Sequence, residues 1–171
     1  DMLKERIPEA SLETADFFFN PKILSRIADC GVSVLDGSID ALPSVMNYLG
    51  YHANSIEPQH LKETEQVMRS IRPFIKYFSS GKMLIDMPNK EVCAAMSWSG
   101  DYSVAKRRAK EAGIDINLGF AMLSDGVHSW FDTLLIPTDA PHSNNAHLLM
   151  NYFLRPDVIA TISNFTGYAN G

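Results

Sequence analysis

Apolar positions recur at helical spacing in some stretches of this chain and run together in others, and the changes mark its elements. Asn20-Pro21 offers an Asx cap followed by proline at the first helical position, and Ile23, Leu24, Ile27 and Ala28 continue it as an apolar stripe. Gly31 stands where that helix should stop, and Val32 to Leu35 reads as a short buried strand closed by the turn pair Asp36-Gly37. A second helix is predicted over 39–49 with Gly50 after it, and Pro43 fits there only in the first turn. Pro58 to Ile75 carries a longer amphipathic pattern, with Leu61, Val67, Met68 and Ile71 inward and Lys62, Glu63, Glu65 and Arg69 outward. Pro73 should end or kink it. Val92 to Ser97 reads as a buried strand, Asp101 to Ala112 as a charged helix closed by Gly113, and Asn117 to Leu123 and Trp130 to Ile136 as strands. Helices over 144–154 and 156–162 close the chain.

Strands separated by helices predict an α/β fold, a mixed and mostly parallel sheet flanked by helices. In such sheets ligands bind beyond the carboxyl ends of the strands, in the loops leading into the next helix. Three places answer that description: Asp36 with Asp40, Trp98 with Asp101, and the segment from His128 to Asp132.

The 171 residues, 46% of them hydrophobic, suffice for one ordinary domain with a sizeable core. A net charge of −5 argues against a nucleic-acid partner and leaves room for a cationic ligand, although mild acidity is also ordinary for soluble proteins. No apolar run approaches the roughly 20 residues that span a bilayer, so no direct membrane insertion is expected. The opening residues from Asp1 to Arg6 have no apolar stretch behind their basic side chains, so a secretory signal would have to lie upstream. The two cysteines, Cys30 and Cys93, form no CxxC pair; composition leaves two buried thiols and one disulfide equally open.

Trp98, Asp101, Trp130, Asp132, Asp40 and Tyr168 are the side chains that an alkyl polyamine requires. Its ammonium groups need carboxylates, because an ammonium leaving water unpaired is costly. Its methylenes and charges are well met by flat aromatic faces, with about 0.5 to 2 kcal/mol for each cation–π contact. Each residue has a plainer reading beside this one. A Trp at a strand end is ordinarily core, and an Asp three residues later is ordinarily a helix N-cap. Other chemistry fares worse. The histidines His52, His60, His128, His142 and His147 have no metal-ligand spacing and read as solvated, so no metal site is expected. No P-loop, G-x-S-x-G or G-x-G-x-x-G occurs, and Ser79-Ser80-Gly81-Lys82 reads as a turn. With no nucleophile beside a base and no cofactor motif, a binding protein is expected rather than an enzyme.

Several segments together resemble one family. Cys30-Gly31-Val32-Ser33-Val34-Leu35-Asp36 resembles the CGVSFLD stretch of putrescine- and spermidine-binding receptors, and Asn47-Tyr48-Leu49-Gly50 follows as it does there. Ile71-Arg72-Pro73 with Phe78, Trp98-Ser99-Gly100-Asp101, and Trp130-Phe131-Asp132 with Ile136-Pro137 resemble its IRP…F, GW(A/S)GD and FFD…MP. The run from Asn151 to Ala160 resembles NYLLRPDVVA, and Tyr168-Ala169-Asn170 matches YAN. Singly these are unremarkable; seven in register, from about Pro21 onward, identify the chain as similar to the polyamine receptors of ABC transporters, within the bacterial extracellular solute-binding proteins.

The resemblance implies a periplasmic receptor of two lobes that closes on an extended polyamine and delivers it to an inner-membrane permease. A sensor docking on a membrane signalling protein is the alternative, and a polyamine-modifying enzyme a more distant one. Residues 1–127 resemble the second lobe and 128–171 the crossover returning to the first, whose N-terminal segment and C-terminal tail are not in this sequence. Trp98 and Asp101 match an aromatic wall and an amine-binding carboxylate, Asp132 the central amine-binding carboxylate, Trp130 its aromatic neighbour, and Tyr168 a further wall residue. Asp40 falls where the family has a ligand-binding Glu, so the charge sits on a shorter arm. Cys30 and Cys93 match positions that form a disulfide. Trp130 stands where putrescine-type members have Phe, as in spermidine-type members, and the loop Gly37-Ser38-Ile39-Asp40 departs from the family's more acidic version. These departures favour spermidine or norspermidine over putrescine.

Overall fold

Three short helices, α1 (Met2–Arg6), α2 (Asp16–Phe19) and α3 (Pro21–Leu24), lead into the sheet of this computed structural model, which describes residues 2–8 and 10–170. The outer ends of the two expected spans, Asp1 and Gly171, lie outside the described residues. Asn20 caps α3 as its sequence predicts, its side chain accepting from the Lys22 N–H at 3.0 Å. The helix stops after one turn, however, and the chain reaches the sheet through turns and a 3-10 segment, Ala28–Cys30. Gly31 then takes φ +86°, and a Cβ there would lie 2.7 Å from the Glu91 carbonyl oxygen, so only glycine fits this approach.

Strand β1 (Val32–Val34) is central, with β2 (Tyr77–Phe78) on one side and β3 (Ala94–Ala95) on the other. Both pairings are parallel, Ser33 facing Tyr77 in one and Ala95 in the other. Parallel neighbours need crossovers, supplied by α4 (Ser38–Tyr48) and α5 (Pro58–Ile71) before β2 and by α6 (Met83–Asp86) before β3. All three β1 residues are buried, as expected of a strand covered on both faces. Around it Phe17, Phe19, Leu24, Ile27, Val45, Ile71 and Ile75 form the core. Helices α7 (Ser99–Glu111), α8 (Ser143–Phe153) and α9 (Pro156–Thr166) complete the α/β arrangement.

Several expectations need correction. Pro43 is not in the first turn of α4 but inside the helix, where it is buried. Packing into the core offsets its lost N–H, and the Ser44 hydroxyl donates to the nearby Asp40 carbonyl at 3.0 Å. Helix α5 ends at Ile71, and Pro73 lies in a following 3-10 turn, Arg72–Phe74. Its inward face is Thr64, Val67, Met68 and Ile71; Leu61, one turn earlier, is exposed because the first turn reaches past the core. The strand expected over 92–97 narrows to Ala94–Ala95.

Residues 117–123 and 130–136 form no strand. A strand exists only where a neighbour takes up its backbone hydrogen bonds, and no described strand pairs with either segment. Among their apolar side chains, Phe120, Met122, Phe131, Leu134 and Leu135 stand exposed, while Leu123 packs against the core.

Cys30 and Cys93 are joined in a disulfide, with Cα atoms 5.5 Å apart. It ties the turn before β1 to the residue before β3, across two neighbouring strands.

Candidate functional site

Because β1 and β3 are parallel neighbours, the loops leaving them open on the same edge of the sheet. The β1 loop passes Asp36 and enters α4, whose third residue is Asp40. The β3 loop passes Trp98 and enters α7, whose third residue is Asp101. Each carboxylate therefore sits in the first turn of a helix, where the exposed N–H groups favour negative charge. Neither is the N-cap; Trp98 holds that place in α7 and its side chain makes no cap bond. A Cβ on Gly37 would press on the Asp40 carboxylate and shift it.

Asp40 and Trp98 meet across the two loops, the indole Nε1–H donating to Asp40 Oδ1 at 3.4 Å. The Trp130 ring stands edge-on to Trp98, with centroids 6.5 Å apart and planes at 72°. Asp40, Trp98, Trp130 and Asp132 line one cavity of about 320 Å³ with Ile39 and His128. Its size lies at the lower end for small-molecule sites. Two carboxylates and two indoles line it, and none of the described lysines or arginines is in its lining.

Asp101 lies apart from that cavity, only 7% exposed. Both its oxygens are engaged: Oδ2 accepts from the Ser97 hydroxyl at 2.8 Å and Oδ1 from the Tyr168 hydroxyl at 3.0 Å. Burial, and then the Asp101 carboxylate beside it, hold the Tyr168 phenol well above the usual tyrosine range. The Tyr168 ring occupies the space where a Gly100 side chain would begin. Tyr168 also borders a wider, open groove of about 2000 Å³ that takes in Asp40, Trp98, Trp130 and Asp132. Of the six residues singled out in the sequence, four thus converge on one cavity, and Asp101 and Tyr168 form a supporting pair next to it.

Ile39 was not expected here, and His128, at the start of the strand-end segment picked out in the sequence, reads there as solvated rather than as a lining residue. The His128 ring lies 5.4 Å from Trp130, edge to face. The signal was available: residues two apart in an extended segment share a side, which puts His128, Trp130 and Asp132 in line. Among the described residues no group of three or more His, Cys, Asp or Glu could hold a metal ion, and no helix is long and apolar enough to cross a membrane.

Residues 2–171 match the model of a family described as bacterial extracellular solute-binding protein. The chain is 33% identical over 164 residues to a putrescine/agmatine-binding protein of Pseudomonas aeruginosa, covering 96% of this chain and 45% of the relative. It is 36% identical over 162 residues to the putrescine-binding periplasmic protein PotF of Escherichia coli, 94% and 44% respectively. A spermidine/putrescine-binding periplasmic protein of Escherichia coli shares 26% over 156 residues, 87% of this chain and 43% of that one. The chain spans a little under half the length of these relatives. Among solved structures, a putative spermidine/putrescine ABC transporter from Listeria monocytogenes superposes with a TM-score of 0.78 at 24% identity, over 98% of this chain and 48% of that one. The Tp0655 (TpPotD) lipoprotein of Treponema pallidum gives 0.74 at 20%, over 96% and 49%. These two likenesses are of fold.

Proposed function

The chain belongs to the bacterial extracellular solute-binding protein family, and from that premise we propose that it forms one wall of a receptor site for a linear polyamine. The observation that carries the reading is the cavity where Asp40, Trp98, Trp130 and Asp132 converge from three separate stretches of chain. Carboxylates meet the ammonium ends, and the indole faces cover the methylenes and flank the charges. Residues 1–127 act as one lobe and 128–171 as the crossover toward another, so that closure encloses the ligand. Asp101 and Tyr168 brace the loop that presents Trp98. Relatives named as putrescine- or spermidine/putrescine-binding periplasmic proteins support the ligand class and a periplasmic location. The loaded receptor delivers its ligand to a membrane ABC permease; a signalling receptor would use the same pocket with a different partner.

Within polyamines, an elongated triamine such as spermidine or norspermidine is the ligand this reading favours over putrescine. Trp130 lines the groove and is 45% exposed, which leaves indole surface to flank a third ammonium. The two relatives above 30% identity are named for putrescine, which makes the diamine the natural comparison in any test. Native mass spectrometry of the full-length protein, expressed in cells that make both, decides the class. A co-purified polyamine is expected; a ligand-free protein that takes up no added polyamine would overturn the reading.

A further inference from the structure

Residues 124–126, immediately before the segment bearing His128, Trp130 and Asp132, are held by bonds that ligand chemistry alone would not demand. Asn47 Nδ2 donates to the carbonyl oxygens of Asp125 at 2.7 Å and Gly126 at 3.2 Å. The Ala15 N–H donates to the Asp125 carboxylate at 2.7 Å, and the N–H and hydroxyl of Ser124 both donate to the Glu13 carbonyl, at 2.6 and 3.0 Å. Gly126 has φ +110°, and a Cβ there would lie 2.7 Å from Asn47 Nδ2. The clamp therefore needs glycine on one side and a short amide on the other.

Its position gives it a consequence for the site. Asn47 is in the last turn of α4 and Asp40 in the first. Seven residues of helix cover about 10 Å. The four steps from Gly126 to Trp130, extended, cover about 13 Å. The segment thus runs back along α4 from the clamp and delivers Trp130 and Asp132 opposite Asp40, as the shared cavity requires. One helix carries a ligand-facing carboxylate at one end and, at the other, the anchor that sets where the opposing side chains stand.

We propose that Asn47 is a positioning residue for the polyamine site, fixing the register between the Asp40–Trp98 side of the cavity and the Trp130–Asp132 side. The inference rests on the polyamine reading only for its effect on affinity. The amide matters as a donor: one nitrogen supplies two N–H groups to two carbonyls without charge. Asp has the same shape but would turn an anion on those carbonyls, so a role in packing alone would tolerate Asp where the donor role does not.

The test uses Asn47→Ala and Asn47→Asp in the full-length protein. Trp98 and Trp130 are the two tryptophans of this chain, so their coupling in near-ultraviolet circular dichroism reports the register without ligand. Both variants should lose that signal, the loss should vanish in a Trp130→Phe background, and the spermidine dissociation constant should rise about tenfold. Should either variant fail to fold, Gly126→Ala, which presses on the clamp from the other side, should produce the same spectral loss. Unchanged spectra with affinity within about twofold of the parent would overturn the proposal, as would a lowered melting temperature with spectra and affinity intact. If the parent itself takes up no polyamine, the ligand reading fails while the spectra still decide the clamp.

Discussion

The Tyr168 hydroxyl donates to the buried Asp101 carboxylate at 3.0 Å while its ring fills the space above Gly100. Two segments nearly 70 residues apart, Trp98-Ser-Gly-Asp101 and Tyr168-Ala-Asn170, are thereby one structural unit. Gly100→Ala should push the ring away and lower stability by about 1 to 3 kcal/mol, the range for overpacking. Urea unfolding checks it, and an unchanged midpoint would show that Tyr168 does not pack there.

The raised Tyr168 phenol gives a pH dependence with a definite sign. Its neutral form is favoured in the folded state, so its contribution is fully present below the ordinary tyrosine value of about 10. It is lost as pH rises from there through the folded value. The parent should therefore lose more stability than Tyr168→Phe as pH climbs above about 10, with a constant difference below it. Parallel stability curves for the two proteins across that range would contradict a phenol held above its ordinary range by burial beside Asp101.

The Cys30–Cys93 bridge closes a loop across 63 positions. The chain-entropy account assigns such a loop about 4 kcal/mol, so the double variant Cys30→Ala/Cys93→Ala should unfold at a correspondingly lower urea concentration. Dithiothreitol should shift the parent the same way and leave the double variant alone. A parent indifferent to reductant would argue against the bond.

Much of this was legible in the sequence, for identifiable reasons. Strand β1, the Asn20 cap and the paired helices α8 and α9 rest on local signals: a short, mostly apolar, β-branched run, an Asx-Pro start and a proline restart at Pro156. The failures lie where the outcome depends on partners distant in the chain. Trp130 to Ile136 has the composition of a strand, yet strand formation needs a neighbour that local pattern cannot supply. Leu61 follows the helical stripe but lies past the core that would have covered it. At the site, residue types picked out side chains that gather at one edge of the sheet, but not which of them face the cavity. Nothing local says that Asp101 spends both oxygens on Ser97 and Tyr168 while Asp40 faces the cavity. His128 lay within the strand-end segment but read as solvated, and its place two residues before Trp130 accounts for its position in the lining.

The proposed preference for a triamine rests on Trp130. Its indole face is larger than a phenyl ring, and Trp130→Phe should weaken spermidine or norspermidine by about 1 kcal/mol with little change for putrescine. The ratio of the two affinities is the quantity to follow, because lost stability would depress both. Equal losses would reduce Trp130 to packing near the site and remove the preference for a triamine.

On the proposed reading the carboxylates of this cavity meet an ammonium, and Asp132→Asn tests this with the least disturbance. Asp132 is exposed, so the amide should leave folding unchanged. Calorimetric titration of the full-length protein with spermidine should show affinity lowered by about 2 to 4 kcal/mol, as for a charged pair enclosed with its ligand. The melting temperature of the ligand-free protein should match the parent's. Unchanged spermidine affinity in that variant, with the parent binding normally, would contradict the account.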